Sequence, residues 1–363
     1  MWPDRRLTDL FGIEHPILLA PMAGAMDTAL AIAVAQGGGL GSLPAGMLDA
    51  AQLRAQADAF RAATGGKPLN LNFFAHIPPV PNNAREHAWR ERLKPYYDEL
   101  GIDPAAPVPS SNRAPFDDAL CAVVEEVRPA VVSFHYGVPE ASLVARVKAA
   151  GAKVISSATT VAEARHLETR GCDAVIAQGN EAGGHRGMFL TDDLASQVGT
   201  FALIPQIADA VKVPVIAAGG IGDARGIVAA LALGASAVQM GTAFLRCPEA
   251  KVSAPHRAAL AAASATQDGG GTVMTNVMTG RPARGFPNRI IRELGPLSDL
   301  PPEFPLAFGA LVPLHLKAQA QGSGDFSPMW AGQAAVLAQE LPAQELMRKL
   351  EEEARALMKK MAG

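Results

Sequence analysis

The stretch IAQGNEAGGHRG, residues 176–187, sets Glu181, Gly183, Gly184, His185 and Arg186 almost side by side, directly after an apolar run. Glycines let a backbone approach a ligand, and a histidine among them exchanges a proton near neutral pH, so the pattern reads as an active-site loop. Two later runs carry a different chemistry. AAGGIGDARG, residues 217–226, presents Gly219 and Gly220 and then opens a helix with Asp223 as its N-cap. QMGTAF, residues 239–244, adds Gly241 and the Thr242 hydroxyl to Gln239 and Met240. Glycine amides beside the positive end of a helix can cradle a phosphate, whether of a cofactor or of a substrate. The run GGGLG at residues 37–41 has no such reading, because it follows a helix-like segment and precedes a strand, the reverse of a dinucleotide-binding loop.

The rest of the chain narrows what those residues can serve. Its 363 residues are 49% hydrophobic and 18% charged, enough to bury a large core and incompatible with disorder as the main state. A formal net charge of −3, with Lys and Arg scattered, gives no electrostatic case for nucleic acid. Cys121, Cys172 and Cys247 are odd in number and lack CxxC spacing, so neither a disulfide framework nor a zinc site is expected. The N-terminal MWPDRRLTDLFGIEHP lacks the apolar run of a signal peptide, and no stretch is continuously apolar over about 18 residues. A cytoplasmic protein that keeps away from membranes is expected.

The elements that must position the chemistry follow from eight short apolar runs, beginning at Pro16, Gly39, Pro68, Ala130, Ala152, Ala174, Val213 and Ala237. Segments with helical spacing, such as VAEARHLETRG and DARGIVAALALG, lie between them. This alternation predicts an α/β fold, a (β/α)8 TIM barrel, with an open doubly wound sheet as its competitor. In a barrel the residues just after each strand gather on one face, where barrel enzymes keep their sites. That face would collect Pro21, Met22 and Ala23 after the first strand, Asn72 from the third, His135 from the fourth, and Gln178 with the glycine runs from the last three. Residues 75–129 form an insertion after strand three whose prolines predict an extended pocket cover with one or two short helices. The barrel is expected over residues 1–250, and residues 251–363 as a helical C-terminal extension that packs on it and closes the site. Its last helix, AQELMRKLEEEARALMKKM, places Leu346, Leu350 and Leu357 on one face, against the barrel or a partner subunit, so a homodimer stays open.

Pro21, Met22 and Ala23 would lie under a flat ring, and Asn72 and Gln178 offer amides to a ring edge of carbonyls and nitrogens, a set that suits an isoalloxazine. The segments PILLAPMAGAM, NLNFF, SFHYG, AQGNEAGGHRG, PVIAAGGIGDARGIVAALALGASAVQMGTAFL and MWAGQA closely resemble the class I nitronate monooxygenases, formerly called 2-nitropropane dioxygenases. The resemblance implies non-covalent FMN, no metal, and oxidation of an alkyl nitronate such as propionate 3-nitronate by O2 to a carbonyl compound and nitrite, through a flavin semiquinone and superoxide. It implies FMN contacts at Asn72, Gln178, Gly183, Gly220 and the run Gln239, Met240, Gly241, Thr242, with Gly184 and Gly219 beside them. It makes His185 the catalytic histidine and His135, with Tyr136, the second wall of the substrate pocket.

With an ordinary pKa near 6.5, His185 could charge-balance an anionic nitronate or take the α-proton of a neutral nitroalkane. Arg186 is expected in an ion pair with an acid such as Glu181, near the surface or behind the pocket. His76, just past NLNFF, could reach the pocket rim. Class I pockets use tyrosines and a lysine for the substrate's far carboxylate, yet the only tyrosines are Tyr96, Tyr97 and Tyr136, and Lys317 is the candidate cation. Three rivals stand beside the nitronate reading: an NADH-dependent FMN reductase of a quinone or enoyl thioester, a flavin-free phosphate-handling barrel, and a flavin-binding scaffold without turnover.

Overall fold

Each of the eight apolar runs becomes a strand. The computed structural model describes residues 2–109, 112–265 and 271–363, so residues 110 and 111 of the insertion lie outside the described residues. The barrel strands are β1 (Ile17–Leu19), β2 (Gly41–Pro44), β3 (Leu69–Phe74), β4 (Val131–His135), β5 (Lys153–Ala158), β6 (Ala174–Gln178), β8 (Val215–Ala218) and β9 (Ala237–Met240). They pair in parallel in the order β1-β9-β8-β6-β5-β4-β3-β2. A parallel bridge between Leu18 and Leu40 joins the two ends, with Leu19 N and Leu40 N donating at 3.0 Å to Leu40 O and Ile17 O. The doubly wound alternative fails on that closure, since an open sheet keeps two free edges. Side chains of β1, β6 and β8 are buried throughout, because strands covered by helices outside and filled inside meet no water on either face.

The helix Ala343–Met361 completes the outer ring. It buries Leu346, Met347, Leu350 and Ala354 between the helices Ala224–Ala232 and Thr28–Gln36, while Leu357 packs partly buried at the edge of the same core. Contact is close: a Cβ on Gly37 would lie 2.6 Å from the Met347 Cβ. Its amphipathic face therefore meets the barrel. Residues 241–342 are in effect inserted between the eighth strand and the eighth helix.

That second insertion joins the first. Where an extended cover with one or two short helices was expected after β3, the chain forms two helices, and the first, Asn83–Leu100, runs 18 residues with Pro95 inside it. An interior proline forfeits a backbone hydrogen bond. Here burial outweighs that loss, because Trp89, Leu93, Tyr96 and Tyr97 enter a second core with Ile290, Ile291, Leu311, Leu314 and Phe326. Asn82 caps the helix start by accepting from Arg85 N at 3.0 Å, and Gly101, at φ 64°, ends it. The other helix of the segment, Asp118–Val127, belongs to the barrel's outer layer.

A small antiparallel sheet ties the two cores. The two-residue β7 (Gly184–His185) pairs with β11 (Ala283–Gly285), which pairs with β10 (Val273–Thr275). His185 lies opposite Ala283, so the loop after β6 is fastened to the inserted region.

Candidate active site

Gln178, the last residue of β6, shapes the loop that follows. Its Nε2 donates to His185 O at 3.0 Å and its Oε1 accepts from Gly187 N at 2.7 Å, so one amide brackets the histidine from both sides. Arg186 clamps the same turn from behind, its guanidinium donating to Gln178 O at 2.8 Å, Gly179 O at 2.6 Å and Gln197 Oε1 at 3.0 Å. The expected ion pair with Glu181 is corrected. Arg186 is 0% exposed and serves backbone carbonyls at the strand end, while the Glu181 carboxylate accepts from Thr200 N and Oγ1, each at 2.7 Å, at the start of the helix Thr200–Ala210.

The two pocket histidines can be assigned tautomers from their partners. His135 Nε2 faces His185 O at 3.3 Å and its Nδ1 faces Ser157 Oγ at 3.2 Å. A carbonyl only accepts, so His135 carries its proton on Nε2 and Ser157 donates to Nδ1. His185 Nε2 lies 2.9 Å from Thr279 Oγ1, whose hydroxyl donates to Arg281 O at 3.3 Å. Thr279 therefore accepts from His185, which carries its proton on Nε2 and its lone pair on Nδ1.

Aromatic rings enclose that lone pair. Phe304 and Trp330 from the inserted region have ring centroids 5.3 and 5.4 Å from His185, and Tyr136 stands 6.3 Å away. Tyr136 adopts φ 72°, a left-handed conformation that is strained for a bulky residue and sends the chain sharply away after β4. His76 packs against Tyr136 and Phe304, a wall of the chamber as much as its rim.

The electrostatics follow from this enclosure. Burial first, then the guanidiniums of Arg113 and Arg281 together with His135, hold His185 well below the usual histidine range. Burial and Arg281 push His76 and His135 down to about 4, and burial pushes the Tyr136 phenol up. All four rings are neutral at physiological pH, and the chamber's charge is carried by arginines. Lys317 does not reach it: this lysine is exposed on the helix Ala307–Ala320. Tyr96 and Tyr97 are likewise committed elsewhere, donating to Glu293 Oε2 and Ala310 O within the second core.

The remaining sequence-derived positions lie around the same mouth, at the carboxyl ends of the barrel strands. Pro21, Met22 and Ala23 follow β1, and a Cβ on Gly241 would come 3.3 Å from Met22 Sδ, so the ends of β1 and β9 touch. Gly219 and Gly220 follow β8 at φ 109° and 70°, conformations that favour glycine. Thr242 Oγ1 accepts from Gly332 N at 2.9 Å. Asn72 Nδ2 donates to Ser133 Oγ at 3.0 Å. Gln239 keeps a buried carbonyl oxygen without a protein partner. The Met240 side chain faces outward into the core between strands and helices, so only its backbone can serve the mouth. Sequence reasoning missed Thr279, Arg281, Arg113, Phe304 and Trp330 as neighbours of His185. The motif MWAGQA was noticed, but nothing local in it says that Trp330 lies over the histidine.

The fold is that of a (β/α)8 barrel, with the candidate site at the carboxyl ends of its strands. The nitronate monooxygenase family matches residues 4–353. A nitronate monooxygenase of Pseudomonas aeruginosa is 45% identical over 96% of this chain and 99% of that protein, and one of Paraburkholderia phytofirmans is 44% identical over 96% and 94%. Among solved structures, a nitroalkane oxidase from Streptomyces ansochromogenes superposes with a TM-score of 0.88 at 37% identity, covering 98% of this chain and 99% of that one. FabK from Thermotoga maritima gives 0.74 at 32% identity, covering 100% and 99%. The chain belongs to the nitronate monooxygenase family and is an oxidoreductase.

Proposed function

We propose that the protein uses FMN to oxidise alkyl nitronates of the propionate 3-nitronate type with O2, giving a carbonyl compound and nitrite. The observation that carries this reading is a neutral histidine, its lone pair on Nδ1, in an aromatic chamber whose charges are arginines. Such a chamber attracts an anion and keeps a base unprotonated at neutral pH.

The mouth suits FMN. The unpartnered Gln239 oxygen offers a hydrogen-bond acceptor, the left-handed Gly219 and Gly220 turn amides toward a phosphate, and Met22 with Pro21 and Ala23 gives an apolar seat for a ring system. Bound there, FMN supplies a one-electron acceptor between the carbanion-like nitronate and O2. The arginines balance the substrate's charge, so His185 is left for proton transfer: Nδ1 takes the α-proton of a neutral nitroalkane, and Thr279 fixes the ring while it does so.

Anaerobic mixing of the yellow protein with propionate 3-nitronate, and separately with NADH, tests the reading. Bleaching of the flavin by the nitronate and not by NADH is expected. Bleaching by NADH alone would make the protein a reductase on the same barrel.

A further inference from the structure

The end of β5 carries no residue of the candidate site, yet the neighbouring loops that do carry them hang on it. Ser156 Oγ donates at 2.6 Å to the carbonyl of Gly137, next to Tyr136, and Ser157 Oγ donates to His135 Nδ1 at 3.2 Å. Glu163 makes the strongest of these attachments. It sits in the first turn of the helix Val161–Thr169, which follows β5, and is 0% exposed. One carboxylate oxygen accepts from Phe189 N at 2.6 Å and Leu190 N at 3.1 Å, and the other from Thr159 N at 2.7 Å and Thr159 Oγ1 at 2.8 Å. A carboxylate taken out of water needs donors in place of its hydration, so these four hold it and are held by it in turn.

A chain of hydrogen bonds links this anion to Arg186. Arg186 Nε donates to Gln197 Oε1 at 3.0 Å, Gln197 Nε2 donates to Thr159 Oγ1 at 3.1 Å, and the Thr159 hydroxyl donates to Glu163. Every donor in the chain points from the guanidinium toward the carboxylate, the arrangement in which hydrogen bonds polarise one another. Burial and Arg284 push Arg186 down to about 10, and Glu163, ahead of Glu181, opposes them. Both ends of the chain grip the loop after β6. Arg186 holds its start through Gln178 O and Gly179 O, and Glu163 holds the amides of Phe189 and Leu190. Between the two grips lie His185 and Met188, whose carbonyl accepts from Arg281.

We infer that Glu163 is a positioning residue, the buried counter-charge that acts through Thr159, Gln197 and Arg186 to hold His185 and His135 in the geometry the reaction uses. The inference deepens the proposed oxidation and rests on it for its kinetic consequence. His135 is included because its Nε2 proton goes to His185 O, so both rings follow one loop. Proton transfer needs the acceptor within hydrogen-bond reach of the group that gives up the proton, and a misplacement of about 1 Å costs on the order of 100-fold in rate.

The test follows the FMN-loaded wild type, Glu163→Gln, Glu163→Asp and Thr159→Val with nitroethane and with propionate 3-nitronate, and records the imidazole nitrogen NMR spectrum of each resting protein. Glu163→Gln keeps the shape but leaves one acceptor oxygen, and its NH2 must face N–H groups on one side. It is expected to lower kcat per bound flavin with nitroethane at least about 10-fold, to lower it less with propionate 3-nitronate, and to lose the single Nε2–H tautomer of His135. Glu163→Asp keeps the charge and should recover part of both. Thr159→Val interrupts the chain while the backbone N–H of residue 159 stays, so a smaller loss of the same kind is expected, with no further loss when it is added to Glu163→Gln. If Glu163→Gln does not fold, Thr159→Val alone decides. Activity that falls only in step with the amount of folded, flavin-bound protein, or histidine tautomers that do not change, would overturn the positioning role. A tautomer change in the variants, with a wild type that turns over neither substrate, would sustain that role and overturn the proposed function.

Discussion

The floor and the roof of the mouth are built differently. The floor consists of strand ends, Gly219 and Gly220 after β8 and Gly241 and Thr242 after β9, where backbone geometry comes from a few consecutive residues. The roof consists of single side chains, Thr279, Arg281, Phe304 and Trp330, delivered by a region with its own hydrophobic core. The first can hold a cofactor with main-chain atoms and tolerates neighbours that vary. The second sets charge and shape, and each residue there depends on remote packing.

The contrast is sharpest at His185, which belongs to the floor's loop and is oriented by the roof's Thr279. His185→Asn is expected to keep FMN and to lose at least about 100-fold in oxidation of a neutral nitroalkane, the scale of a lost proton acceptor, and to lose less with a preformed nitronate, which has no α-proton to give up. Flavin content by absorbance and steady-state kinetics check both halves. Loss of flavin instead would make His185 part of the cofactor's seat. At the seam between the regions, a Cβ on Gly183 would lie 2.5 Å from Gly332 N and 2.6 Å from Ala331 C. Gly183→Ala should therefore cost about 2–3 kcal/mol by overpacking, read by denaturant unfolding, and lift the roof enough to weaken activity.

Acid distinguishes the regions next. The native fold holds His76, His135 and His256 at about 4, while an unfolded histidine protonates near 6.5. Between those values the unfolded chain binds more protons, so stability falls as pH drops from about 6.5 toward 4. These histidines line the chamber or belong to the inserted region, so hydrogen exchange at pH 5 should speed up there before it does in the barrel strands. Uniform acceleration would count against separate regions. The smallest effect is expected at Gly184, where φ is 73° but a Cβ meets nothing within 4 Å. Gly184→Ala should cost about 1 kcal/mol of backbone strain, measured by the same unfolding, and leave the flavin bound.

The same division explains what the sequence reveals. All eight strands are legible because buried parallel strands write themselves as short apolar runs, and the floor follows since its residues are contiguous with them. Resemblance to the nitronate monooxygenases agrees with the family match over residues 4–353. The roof is illegible for a physical reason. Arg281 meets Tyr136 across more than a third of the sequence, and nothing near either residue records the meeting. The helix Asn83–Leu100 is hidden by Pro95, whose local penalty is overridden by a core assembled from distant segments. Arg186 misleads in the opposite direction: an arginine beside a loop suggests solvent or an acid, yet its targets are carbonyls that only the folded turn exposes.

The placement of the helix Ala343–Met361 has a consequence for how the molecule assembles. Its contacts with the helix Thr28–Gln36 join segments about 300 residues apart, so they close one of the longest loops in the chain and belong to the slow, non-local class of folding events. Until that helix docks, the apolar flanks of the helices Thr28–Gln36 and Ala224–Ala232 face water. The last step of barrel formation therefore waits on the intervening residues 241–342, and a chain stalled before it would present a sticky seam to its neighbours.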